Sequence, residues 1–315
     1  MRRGGPPMLP VDPAAVPAVA RVERGPRGLR FAQAGDGAAP GPHSGPLRAR
    51  AAAPVPAREA AVVAGGKLAL LTGAGAAFSL RLPQVVVIHD RRPPGLDRTV
   101  GAADANAGLL HADGGWRAVV LPSLGDIAVD LGPGPVAIRA DGRAVAAVAG
   151  DEVVEWSLGD DGPPARRPGG GDAIAFASDG SVWVAAGAAP RAPGDAAVDG
   201  PAITSLAAAA AAPVLVARHE DDIISVWRPG AAEPAGSWPS PVPRATSLAV
   251  SADGELIALG SPDGADPVAA LLTTDGAIAR LVEGARVIAP SPARDGLLVA
   301  GDWGCAWLTP LEEDA

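Results

Sequence analysis

VAIRADGRAVAAVAGDEVVEWSLGDDG, residues Val136 to Gly162, decides the fold of this chain. An Asp-Gly pair at 141–142 and a Gly-Asp pair at 150–151 separate three short apolar stretches, and the third carries Trp156. Such pairs supply the positive φ and the local side-chain acceptor that tight hairpin turns need. The stretch therefore reads as three antiparallel strands in a meander.

The pattern recurs along the chain. AIAFASDGSVWVAAG (Ala173–Gly187) and SLAVSADGELIALGSPDG (Ser247–Gly264) repeat strand, Asp-Gly and strand. VIAPSPARDGLLVAGDWGCAWLTP (Val287–Pro310) repeats all three strands and carries Trp307 in the third. SLAAAAAAPVLVARHEDDIISVWRPG (Ser205–Gly230) has Pro213 in place of Asp-Gly and reaches Trp227. Upstream, Thr99–Pro122 places Asn106 at the same turn, and Ala60–Pro83 places Gly65-Gly66 there. Anchored on Gly66, Asn106, Gly142, Gly180, Pro213, Gly254 and Gly296, the units recur at intervals of 33 to 42 residues.

Four strands at a period near 40 residues is the sequence mark of a β-propeller blade. The segments GDDGPPARRPGGGD and RPGAAEPAGSWPSPVPR between units carry a weaker fourth strand. The alanines at 207–212 are expected in an innermost strand, where small side chains suit the crowded axis. The prediction is an all-β propeller of seven four-stranded blades. An eighth is the alternative, because Ala18–Gly35 reads as a further hairpin. The last unit stops after its third strand, near Pro310. Its outermost strand must come from the N-terminal side, and PLRARAAAP (Pro46–Pro54) is the candidate. Residues 1–45 form a Pro-, Gly- and Ala-rich arm, and residues 46–315 form the propeller. GDGAAPGPHSGP can bury little apolar surface, so part of the arm is expected to be disordered, or else to dock on a partner.

These units resemble WD-repeat propellers. Trp156, Trp227 and Trp307 fall at the family's third-strand tryptophan. Asp151, Asp221 (or Asp222) and Asp302 fall near its turn aspartate. The chain departs from the family at two points. It has Trp156-Ser157, Trp227-Arg228 and Trp307-Leu308 where the family has Trp-Asp, and it lacks the Gly-His pair that opens each repeat. The usual hydrogen bonds from that His to the turn Asp therefore cannot form. The resemblance implies a rigid, monomeric ring that acts as a non-catalytic scaffold and shows its loops to protein partners.

Composition narrows the function classes. A 315-residue chain with 48% hydrophobic residues can build one large all-β domain. Its net charge of −9 argues against general nucleic-acid binding, which needs clustered cations. Lys67 is the only lysine, and the Arg, Ala, Gly and Pro excess reads as the codon usage of a GC-rich genome. Cys305 is the only cysteine, so no intrachain disulfide can form. Between Trp303 and Trp307 it is expected to be a half-buried strand thiol. Prolines interrupt every apolar stretch of the first twenty residues, so no secretion signal is expected. The longest apolar run, Leu206–Ala217, is too short to span a bilayer. A cytoplasmic protein with no membrane partner follows.

Catalytic signatures are sparse. His43, His89, His111 and His219 lack a second His or a Cys at ligand spacing, so neither metal nor cofactor is expected. RHEDD (Arg218–Asp222) is the densest polar cluster. It reads as a hairpin turn whose Asp221 or Asp222 satisfies turn amides, with His219, Glu220 and Asp222 as contact candidates. His89, at the end of VVVIHD, either leaves the sheet into a charged loop or lines a channel mouth. The repeated Asp-Gly carboxylates need no catalytic explanation. No Gly-x-Ser-x-Gly elbow is present. Trp183 is expected between blades. Trp238 packs on an outer strand or offers an exposed contact. The competing reading is a propeller enzyme, hydrolase- or lactonase-like or an oxidoreductase, with a polar or metal site at the channel mouth.

Overall fold

The computed structural model describes residues 8–12, 14–25, 28–34, 47–127, 129, 131–160, 162–261 and 264–310. The 35–46 stretch, with His43, lies outside the described residues. Seven sheets follow one another around a central channel, in sequence order. Their innermost strands are Glu59–Val63, Arg98–Gly101, Val136–Ile138, Ile174–Phe176, Ile203–Ala208, Ser247–Val250 and Val287–Pro290. Blades pack on their neighbours around the whole circle, and the seventh packs on the first. The chain is thus a seven-bladed propeller.

Burial explains the sequence of each blade. A second strand such as Ala144–Ala149 lies between neighbours on both faces, and its first five residues are all buried. It therefore reads AVAAVA rather than alternating apolar and polar. Outermost strands face water. Ala165–Pro168 in the third blade is exposed throughout and holds its place by pairing Arg166 with Glu152 and Arg167 with Glu155. The alanine run divides. Ala207 and Ala208 end the innermost strand of the fifth blade, while Ala209–Ala212 turn away and Ala211 N–H donates to the Ala252 carbonyl at 2.7 Å.

The Asp-Gly turns work as their chemistry requires. Gly142, Gly180 and Gly254 have φ of +68°, +82° and +75°, and each N–H returns to the residue three positions earlier. The seventh turn differs. Arg294 takes the left-handed position at φ +60° and bonds back to Ser291, so Asp295-Gly296 sits two residues late. Gly296 is needed for another reason: a Cβ there would lie 2.5 Å from the Trp307 ring.

The last sheet closes the ring. Gly304–Pro310 pairs antiparallel with Leu47–Ala53, from Pro310 opposite Leu47 to Cys305 opposite Ala53. The N-terminal segment then adds a second fastening. Ala15–Val16 pairs on the outer side of the closing strand. The hairpin Val19–Gly25 and Gly28–Gln33 joins the sixth blade in parallel with Ile278–Glu283, giving that sheet six strands. The hairpin therefore extends a blade and does not form an eighth. The fourth blade, by contrast, keeps three strands, and Val198 makes only an isolated bridge to Gly187. No helix among the described residues is long and apolar enough to cross a membrane.

Arg280 locks the crossing between the two added pieces. Its side chain is buried, and Nη1 donates to the carbonyls of Val16 (3.2 Å) and Pro17 (3.0 Å). Burial pushes its pKa down to about 10. A charge-assisted hydrogen bond is worth about 1.5–3 kcal/mol. Replacing Arg280 with Met is therefore expected to raise amide exchange across residues 15–33 by tenfold or more, with little change in the inner strands. Unchanged protection in the hairpin would show that Arg280 does not hold it.

Candidate functional site

The polar site lies at the channel end where the innermost strands begin. Arg58 and Glu59 enter it from the first blade, Asp97 and Arg98 from the second, and Thr204 and Arg218 from the fifth. They surround a cavity of about 580 Å³. Farther in, a space of about 330 Å³ shares Glu59, Arg98 and Thr204 with it, and then a space of about 280 Å³ has mostly Ala, Val, Leu, Ile and Pro walls. The passage is charged at one end and apolar along its shaft.

Glu59 is partly buried, and one carboxylate oxygen accepts the Thr99 N–H at 2.8 Å. Loss of water pushes its pKa up to about 7, against the opposing pull of the Thr99 N–H and the Arg98 charge; the Asp97 charge adds a little to the rise. The folded protein thus keeps a proton on Glu59 that the unfolded chain releases near 4.5. This favourable difference is complete below 4.5 and is lost as pH rises through 7. Stability is expected to fall over that window in the wild type. Glu59→Gln should remove this part of the slope, and urea midpoints at pH 5 and pH 8 measure it.

Around Glu59, Arg58 and Arg98 are exposed and make no ion pair among the described residues. Asp97 Oδ1 lies 2.6 Å from His111 Nδ1 and accepts a hydrogen bond from the ring, which packs on Trp116 with centroids 5.1 Å apart. Arg218 is mostly buried. Its Nη1 donates to Thr204 Oγ1 at 2.9 Å and its Nη2 to Asp222 Oδ1 at 2.8 Å, while Nε has no hydrogen-bond partner among the described residues.

The RHEDD turn stands beside this mouth and is mostly occupied with holding its own shape. His219 is buried, with Nε2 2.7 Å from Ser225 Oγ and Nδ1 3.1 Å from the Pro201 carbonyl. Trp227 donates to the same Ser225 oxygen at 2.7 Å. Glu220 accepts the Ala202 N–H, and Asp221 accepts the Ile223 N–H. Asp222 sits at φ +63° and accepts from the Arg244 N–H as well as from Arg218, which holds its pKa below the usual carboxylate range. Asp151 and Asp302 lie in the equivalent turns of the third and seventh blades, Asp302 forming an ion pair with Arg286.

The other singled-out residues stand elsewhere. His89 is exposed on the outermost strand of the first blade, well away from the inner strands, and Arg91 nearby forks onto Asp126 of the next blade at 2.5 and 2.8 Å. Trp238 lies in an outermost strand against Gly276 of the following blade, with its Nε1 buried and without a hydrogen-bond partner among the described residues. Trp183 is half-buried, packs against the core beside the fifth blade and donates to Ser181. Trp227 and Trp307 are buried third-strand residues, whereas Trp156 is half-buried. Cys305 is fully buried rather than half-buried, and burial pushes its thiol up to about 12.

On the opposite face the carboxylates cap turns. Asp141 accepts from the Arg143 N–H and Arg139, and Asp179 from the Ser181 N–H and hydroxyl. Among the described residues no three His, Cys, Asp or Glu side chains stand close enough to hold a metal ion. Glu59 and Arg98 gave no sequence signal beyond their place just ahead of apolar strands. That place, repeated in each unit, is where a mouth residue could have been sought. The chain matches no protein-family model and no curated protein.

Proposed function

We propose that this ring is a non-catalytic protein–protein interaction scaffold of WD-repeat type, and that its partner docks on the face carrying the polar mouth. One observation carries the choice of face. On the opposite face the turn carboxylates cap backbone amides, and Arg139 and Arg294 are paired with Asp141 and Asp253. Arg58 and Arg98 stand exposed and without an ion pair among the described residues. Exposed charges around a rigid opening steer and select a partner. The recurring third-strand tryptophans support the WD-type reading.

The enzyme reading is favoured by Glu59 alone. Paired-carboxylate acid–base chemistry needs two groups with separated pKa values facing one reaction site. Asp97, the nearest second carboxylate, is engaged by His111.

Affinity capture from the native host tests the scaffold reading, with wild type, Arg58→Glu/Arg98→Glu and Arg294→Glu as baits. The expected result is a stoichiometric protein that is lost only with the double variant. A partner retained by all three would move docking off this face. The absence of any stoichiometric partner would overturn the scaffold.

A further inference from the structure

Among the described residues, each innermost strand has a strand neighbour on one side only. Its other edge, with unpaired backbone N–H and C=O groups, faces the channel. Glu59 already occupies one of these donors, the Thr99 N–H. Between the backbone groups the shaft presents Val100, Val136, Ile174, Leu206 and Leu248. The mouth space shares Glu59, Arg98 and Thr204 with the middle one, and the middle one shares these apolar walls with the innermost, so one passage runs from the arginines into the apolar shaft.

The mouth sets the charge of what fits. Arg58, Arg98 and Arg218 face Asp97, Asp172 and Asp222, and His111 touches Asp97. The three cations are matched in number by three carboxylates, which leaves little excess for a dianion. Arg98 and Arg58 nevertheless offer donors without an ion-pair partner among the described residues. Arg218 adds a buried Nε with no acceptor among the described residues. A protonated Glu59 can donate to one oxygen of a carboxylate while Arg98 donates to the other, a charge-assisted arrangement.

We propose that the channel is a ligand site for a monocarboxylate on an unbranched apolar chain, with the head at Arg98 and Glu59 and the chain along the shaft. This goes beyond the scaffold reading and does not depend on it. Two sources share the chemistry: a medium-chain fatty acid, and the free C-terminus of an apolar peptide. A bound carboxylate stabilises the proton on Glu59, as two carboxyls in one site do. Binding therefore takes up a proton near neutrality and weakens as pH rises.

Titration calorimetry on the purified full chain tests this with octanoate, acetate, octanol, and the peptide acetyl-Ala-Val-Leu as free acid and as amide. Octanoate is expected to bind at pH 6, and acetate and octanol not. Affinity should be about tenfold weaker at pH 8 than at pH 6, following proton linkage. Glu59→Gln should bind equally at both pH values. Arg98→Glu should lose binding at least tenfold with an unchanged melting temperature, and Arg294→Ala on the far face should behave as wild type. Free-acid peptide binding without octanoate binding assigns the site to a chain terminus, and the reverse assigns it to a fatty acid; both support the site. No binding of either probe at pH 6, binding indifferent to Arg98→Glu, or wild-type binding flat in pH would overturn it.

Discussion

A chain ending at Gly284 is expected to yield no soluble monomer. The cut removes Val287–Pro290, Leu297–Gly301 and Gly304–Pro310, three of the strands of the seventh blade. It leaves Leu47–Ala53 with no blade to complete. Two core clusters lose a wall at once. On the sixth-blade side go Ile288, Val299 and Leu308, and on the first-blade side go Leu298, Cys305 and Trp307. Burying one large aliphatic side chain is worth about 1.5–3 kcal/mol. A handful of such losses matches the whole stability of a typical domain, about 5–15 kcal/mol. The exposed sheet faces and edges would then drive association. Soluble yield and size-exclusion chromatography with light scattering measure the outcome. A soluble monomer would mean that six blades close without the seventh.

Trp307→Ala is expected to be the most damaging single substitution. The indole is 1% exposed and packs between the closing strand and the first blade. Its ring lies against Gly296, where even a methyl group would collide at 2.5 Å. Emptying such a site costs about 3–5 kcal/mol, because close packing on several sides prevents collapse into the space. Trp156, at the equivalent place in the third blade, is only half-buried. Its replacement by Ala should cost less than half as much. Urea midpoints with unchanged slopes measure both. Equal losses at the two positions would show that burial does not set the difference.

The ring itself was legible because its signal is local and repeated. Most units carry a first turn that needs positive φ, and in all seven it is flanked by short apolar strands that read alike. The closing strand was legible for a different reason: a blade ending at Pro310 needs a fourth strand, and one candidate precedes the first unit. The missing strand of the fourth blade was not legible, because outer strands are short, solvated and weakly specified. Nor was the shift of the seventh turn, where Arg294 accepts a conformation that glycine holds elsewhere. The attachment of Val19–Gln33 to the sixth blade pairs Val19–Arg21 with Leu281–Glu283, some 260 residues distant, and no local pattern announces it.

The mouth was the least visible feature. Histidines and clustered carboxylates drew attention to His89 and to the Arg218–Asp222 turn. The structure places His89 on an outer strand and uses His219 to tie Ser225 to Pro201. Glu59, Arg98 and Thr204 each precede or begin an ordinary strand. They meet only because the first, second and fifth blades share an axis, so their proximity is a property of closure. The shift of Glu59 arises from the same cause, since water is removed by neighbours far away in sequence.

Closure also carries a cost in time. Leu47 pairs with Pro310, across more than 260 residues of chain. Synthesis proceeds at about 5–20 residues per second, so the first half of that pairing waits on the order of 13 to 50 seconds for the second. Throughout that wait Leu47–Ala53, apolar but for Arg48 and Arg50, has only Ala15–Val16 to pair with. The nascent polypeptide must keep it from pairing with a strand of the wrong blade or of another ribosome's product. A permuted gene that begins at Glu59 and ends with Leu47–Ala53, after a short linker from Pro310, would deliver the two partners together and shorten the vulnerable interval to a few seconds.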